Sequence, residues 1–182
     1  MVLGATIFGG RKWGMNEMNS KGCYFVAAYV KLAKLWEKNK EQALEYHKTY
    51  YAEKYSNTEK YVLYDVYVDI TGQKQIYKRP QMLRLLKDCS EGKINCIASQ
   101  TKAYLAANGQ EFCYFLKLVW ELNPELEVVT EDDNYHMDTI ENREHQKQAL
   151  RKMSDDFIRL DIKAYEDWKK KVMHGMETGK GR

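Results

Sequence analysis

The sequence predicts an α/β domain: a mainly parallel sheet of four to five strands, helices on both faces, and a long helix at the C-terminal end. Short apolar runs alternate with longer amphipathic ones, the pattern of strands joined by crossover helices. The first run, "CYFVAAYVKL" (Cys23–Leu32), is nearly continuous in its apolar character, as a strand buried on both faces should be. The third observation lies near the end of the chain. Ile140 to His174 contains neither Pro nor Gly and spaces Leu150, Met153, Phe157, Ile158, Leu160, Tyr165, Trp168 and Val172 among charges. That is more apolar surface than a solvated helix needs.

The elements follow in order. Residues 1–22 carry Gly4, Gly9, Gly10, Gly14 and Gly22 without a period and read as an irregular extension. After the first strand, Ala33 to Ser56 sets Leu35, Trp36, Ala43, Leu44, Tyr50 and Tyr51 among charges, predicting a helix with one packing side. "YVLYDVYVDI" gives a second strand, closed by the "TGQKQ" turn. Pro80 marks the first position of the next helix, where its missing N–H costs nothing, and Met82, Leu83, Leu85 and Leu86 form its apolar stripe. "EGK" ends that helix, "INCIAS" is a third strand, and a helix to Glu121 packs Phe112, Phe115, Leu116, Val119 and Trp120. "LEVVT" is the fourth strand. The resulting division is 1–22 extension, 23–139 α/β domain, 140–175 long helix of dimerising type, and 176–182 tail.

A chain of 182 residues suits one domain with a sizeable core. The formal charge of +3, from 29 basic and 26 acidic side chains, permits nucleic-acid contact without announcing it. Cys23, Cys89, Cys96 and Cys113 are widely spaced with no C-x-x-C, which argues against a disulfide framework or zinc site and for reduced cysteines acting as small hydrophobes. There is no apolar run of membrane-spanning length, and "MVLGATIFGGRKWG" is broken too early for a signal peptide. A soluble, cytoplasmic protein without membrane contact, cofactor or metal is expected.

Few motifs carry chemistry. "GGRKWG" lacks the spacing of a phosphate-cradling loop. Glu131, Asp132, Asp133 and Asp138 have the oxygens for a divalent metal, but solvated loop charge is the better reading because nothing fixes them relative to one another. His47, His136, His145 and His174 show no ligand spacing and read as surface or boundary residues. The rings of "YHKTYYAEKY" suit base stacking, or more ordinarily packing against a core. Lys163, Lys169, Lys170, Lys171, Lys180 and Arg182 are candidates for phosphate contact, against the plainer reading of a solvated helix end.

Taken together, the order of elements, "DITGQKQIYKRPQMLRLLKDCSEGKINCIASQTKAYLAANGQEF" and "ELEVVTEDDNYHMDT" resemble the catalytic domain of the serine recombinases, the resolvase and invertase family. The similarity runs from about Cys23 to Gly175. It is most specific at Arg79, Pro80, Leu83, Leu86 and Glu91-Gly92-Lys93. The resemblance implies attack on DNA by a serine near the end of the first strand, with arginines holding the scissile phosphate. Here the motif Tyr-x-Arg-x-Ser reads "YVKLA", placing Lys31 at an arginine position and Ala33 at the serine position. A second pair of arginines is replaced by Tyr104 and Ala107 in "AYLAAN"; Asn108 agrees, and Arg79 alone keeps its identity among the main phosphate-binding positions.

Without a nucleophile the covalent step is lost, and each missing charged clamp removes on the order of 3 kcal/mol of transition-state stabilisation. Lys31 keeps a charge but not a bidentate fork. Ser99 and Thr101 lie on the wrong strand to substitute. The expectation is therefore a catalytically inactive serine-recombinase-like protein that acts by interaction or regulation in the recombination of a mobile element. Its partner would be a second copy or an active serine recombinase. The rivals are displaced recombinase activity, or another reaction, using Lys31, Arg79, Lys102 and Tyr104, and a non-specific DNA-binding module using Arg79, Lys163, Lys169, Lys170 and Lys171. No recognition helix for sequence reading is expected.

Overall fold

The computed structural model describes residues 22–131 and 140–179, the side chains of 140–143 excepted. The expectations for residues 1–21, His136, Asp132, Asp133, Asp138, Lys180 and Arg182 lie outside the described residues. Strand β1 (Tyr24–Leu32) is central, with β2 (Tyr61–Ile70) on one side and β3 (Cys96–Ser99) and then β4 (Glu127–Thr130) on the other. All three pairings are parallel, so each strand returns through a helix rather than a hairpin. The predicted class holds, with four strands.

Alternation along β1 sorts its side chains between two cores. Ala27 and Tyr29 point to the larger core, formed with α2 (Pro80–Ser90), α4 (Gly109–Leu122) and part of α6 (Ile162–Thr178). Ala28, Val30 and Leu32 point to a smaller one beneath α1 (Lys40–Tyr55). Every residue from Val26 to Val30 is fully buried, which explains the unbroken apolar run.

Local rules close the elements. Pro80 opens α2, and its end is a Schellman motif: Gly92 takes φ +72°, its N–H donates to Cys89 O, and Lys93 N–H donates to Asp88 O. That is the physical meaning of "EGK". Between β1 and α1 lies a 3-10 turn, Lys34–Asn39, which leaves Leu35 73% and Trp36 44% exposed. These two residues were expected to pack with α1; the 3-10 path displaces them from its buried side. His47, expected near the surface, is instead buried among the inward residues of α1, and burial lowers its pKa. Cys89, Cys96 and Cys113 are buried free thiols, while Cys23 is half-buried just before β1.

A long helix is present near the C-terminal end as α5 (Ile140–Arg159), but the helical run does not continue unbroken to Gly175. It stops at Leu160, and Asp161 caps a new helix, α6, by accepting a hydrogen bond from Ala164 N at 2.9 Å. The break redirects the chain. Tyr165, Trp168, Val172 and Met176 of α6 are buried in the main core, whereas Met153, Phe157, Leu160 and Ile162 around the junction stay exposed.

At Gly175, α6 packs tightly on α2: a Cβ there would stand 2.8 Å from Leu83 Cδ1. Gly175→Val should cost about 1–3 kcal/mol through overpacking, while Gly175→Ala should fall within about 1 kcal/mol of the parent because helix propensity offsets a smaller clash. Chemical denaturation of the two variants checks this; equal effects would mean that the helices can separate freely.

Candidate functional site

The crossover from β1 leads toward β2 and that from β3 leads the opposite way, so the carboxyl ends of β1 and β3 bound the sheet's switch point. Open α/β sheets bind ligands at this position. Lys31 and Ala33 come to it from β1, and Ser99 to Asn108 from β3 and the turn beyond, including the short helix α3 (Lys102–Leu105).

The centre of this corner is Arg79, and it faces inward. Its side chain is fully buried. One guanidinium nitrogen donates to Tyr104 O at 2.7 Å and Leu105 O at 3.2 Å, and the other donates to Lys74 O. The fork expected for phosphate is thus spent on backbone carbonyls of the "AYLAAN" turn. Arg79 braces the corner rather than presenting charge to solvent.

Glu111 completes the brace from the other side. Its buried carboxylate accepts hydrogen bonds from Ile76 N at 2.9 Å, Ala107 N at 3.0 Å and Trp168 Nε1 at 3.4 Å. Asn108 accepts from Glu111 N at 2.9 Å, so Asn108 and Glu111 cap α4 in a variant of the reciprocal capping box. The signal was legible as Asn-x-x-Glu before an apolar run. Sequence reasoning nevertheless passed over Glu111.

A third buried group, Asp69, also went unnoticed. It accepts from Tyr29 Oη at 3.0 Å, Gln81 N at 3.0 Å and Met82 N at 2.9 Å, placing a carboxylate at the amino end of α2 where the helix dipole favours it. Burial pushes the Tyr29 phenol well above its ordinary pKa, and Asp69 adds to that shift. A charged residue within the apolar end of β2 was the available clue.

Lys31 sits opposite Asp69 in the β1–β2 register and is half-buried. Burial lowers its pKa, and the positive charges of Arg79 and Lys74 act the same way while Asp69 opposes them. Ala33 is exposed and offers no hydroxyl. Ser99 is buried and donates to Tyr29 O at 2.7 Å. Thr101 accepts from Ala103 N as the cap of α3. Tyr104 is half-buried, packing against the cores on both sides of the sheet, and Ala107 is tied through its N–H to Glu111. The corner offers a ligand positive charge from Lys31 and the exposed Lys74, and a tyrosine ring, while Ala33 at the position expected for the nucleophile carries no hydroxyl.

Lys163, Lys169, Lys170 and Lys171, the candidates for phosphate contact on the last helix, lie on different sides of it. Lys169 pairs with Glu121 at 2.5 Å on α4, whereas Lys171 lies 5.4 Å from the Tyr77 ring centroid on the other side of α6. The buried residues Trp168 and Val172 run between them, while Lys163 and Lys170 face solvent. Among the acidic cluster, Glu131 is engaged by Tyr50 and Lys54. Among the described residues no group of three His, Cys, Asp or Glu side chains is placed to hold a metal, and no helix is long and apolar enough to cross a membrane.

This all-parallel sheet, with its helices and its switch-point corner, is the fold of a serine-recombinase catalytic domain. The chain is similar to the N-terminal catalytic domain of TP901-1 integrase with a TM-score of 0.53 and 17% identity, over 75% of this chain and 98% of that one. The C-terminal catalytic domain of ISC1926 TnpA, an IS607-like serine recombinase, aligns at 16% identity and a TM-score of 0.45, over 69% of this chain and 77% of that one. No protein-family profile matches the chain, and no curated protein matches it.

Proposed function

We propose that this chain is a recombinase-like domain that takes part in DNA recombination, in the setting of a mobile element, by association and without cutting DNA itself. The observation that carries the reading is Arg79: the guanidinium that should meet phosphate is buried and committed to Tyr104, Leu105 and Lys74 carbonyls. Ala33 at the end of β1 is consistent with it, since an alanine cannot form a phosphoester link.

The surface for association is the α5–α6 junction. Met153 and Phe157 lie one turn apart on α5, and Leu160 and Ile162 flank the break at 82% and 58% exposure. Four exposed apolar side chains so near one another along the chain are what supports this reading. Its partner is a second copy of this chain or an active serine recombinase carrying the matching helix.

Incubation with supercoiled and nicked DNA, followed by denaturing electrophoresis, should show no protein–DNA adduct. An adduct abolished by changing one hydroxyl residue would overturn the proposal. The combined variant Lys31→Arg, Ala33→Ser, Tyr104→Arg and Ala107→Arg should also stay inert, because Arg79 remains turned inward. Nicking by that variant would show that only those four side chains separate this chain from an active enzyme.

A further inference from the structure

We propose that the cleft between α6 and the turn preceding α2 binds a small phosphorylated ligand of nucleotide size. The cleft measures about 470 Å³, within the range of small-molecule sites. Its floor is Pro80 and Leu83, and the absence of a side chain at Gly175 lets α6 come close enough to α2 to form it. Its polar atoms come from both walls. The first wall is the 3-10 turn Ile76–Lys78, supplying Tyr77 and Lys78; the second is the last turns of α6, supplying Lys171, His174 and Thr178.

Both walls are fixed by the same group. Glu111 accepts from Ile76 N on the first wall and from Trp168 Nε1 on the helix that forms the second. The cleft is therefore preorganised, so less of the binding free energy is lost in ordering it.

Its charge sets it apart. The cleft along α1 is lined by Glu41, Glu45 and Glu53, and the one at the amino end of the sheet holds Glu125 and no cation. Here Lys78, Lys171 and His174 all line one cleft, and among the described residues neither lysine is held in an ion pair. Lys171 instead lies over the Tyr77 ring, at 5.4 Å from its centroid. Thr178 donates its hydroxyl proton to His174 O at 3.0 Å, leaving its oxygen free to accept. Two lysines, an imidazole and an aromatic ring on an apolar floor match an anion attached to a flat apolar body. A DNA duplex fits less well, because it needs cations along an open face, and the other lysines of α6 lie on different sides of the helix. The inference is independent of the association proposed above.

Calorimetric titration of the full chain with ATP, pyrophosphate and adenosine tests it. The expected result is saturable one-to-one binding of ATP and pyrophosphate, with adenosine at least about tenfold weaker, as loss of charge-assisted hydrogen bonds implies. Lys78→Gln with Lys171→Gln should weaken ATP binding by about tenfold or more while leaving the thermal midpoint in place. Lys38→Gln with Lys48→Gln, which removes the same charge on the α1 side, should leave binding intact. Three results overturn the proposal: no saturable binding of either phosphate probe, an equal loss in both double variants, or a short duplex that binds through Lys78 and Lys171 more tightly than ATP.

Discussion

Arg79→Ala should lower the unfolding free energy by roughly 3–5 kcal/mol, the scale seen when one member of a buried charged network is removed. Truncation leaves the carbonyls of Lys74, Tyr104 and Leu105 without their guanidinium donors and opens a void beneath the corner, since the side chain is fully buried. Arg79→Lys should recover part of this, because an ammonium on a flexible stem keeps the charge but not the planar fork that spans three carbonyls. Urea denaturation, compared at constant slope, is the measurement. If Arg79 were instead a solvent-facing phosphate ligand, the alanine variant would retain its stability within about 0.5 kcal/mol and lose only affinity for DNA. The two readings of one residue therefore separate on stability alone.

That separation shows where sequence reasoning reaches its limit. The strands and helices were legible because period and punctuation are local: the apolar run of β1, Pro80 at the start of α2 and "EGK" at its end each act within a few residues. The identity of Arg79 was also legible. Its direction was not, because two of the three carbonyls it meets lie 25 and 26 residues further along, and a carbonyl has no sequence signature. The same holds for Asp69, whose acceptor role depends on the first turn of α2 being placed against the end of β2.

The C-terminal region makes the point differently. Its apolar positions correctly announced more burial than a solvated helix needs, but a run without Pro or Gly gave no warning of the break at Leu160. The device there is Asp161, a capping residue that ends one helix by starting another. Once the chain turns, the apolar positions from Tyr165 onward face the domain, and those on either side of the break stay exposed. The fold thus sets a corner braced by Arg79 beside an exposed apolar junction, the two features on which the proposed function rests.

Glu111→Ala should be as damaging as Arg79→Ala, at roughly 3–5 kcal/mol, although the residue looks from sequence like an ordinary first-turn glutamate. A capping glutamate on a single helix would contribute about 1 kcal/mol or less. Here the carboxylate also satisfies Ile76 N, Ala107 N and the Trp168 indole, which come from three separate segments. Glu111→Gln tests the mechanism at nearly constant shape: the amide nitrogen cannot accept, so at least one of those buried donors is orphaned, at a cost of about 1–3 kcal/mol. Trp168 fluorescence should shift in Glu111→Ala, where its Nε1 loses its partner, and stay near the parent in Glu111→Gln if the amide oxygen keeps the place shared by Ile76 N and Trp168 Nε1. Because Arg79 and Glu111 hold the same turn from opposite sides, the double alanine variant should lose less than the sum of the single losses. Strict additivity would mean that the corner is two independent contacts, and that its rigidity does not come from the pair.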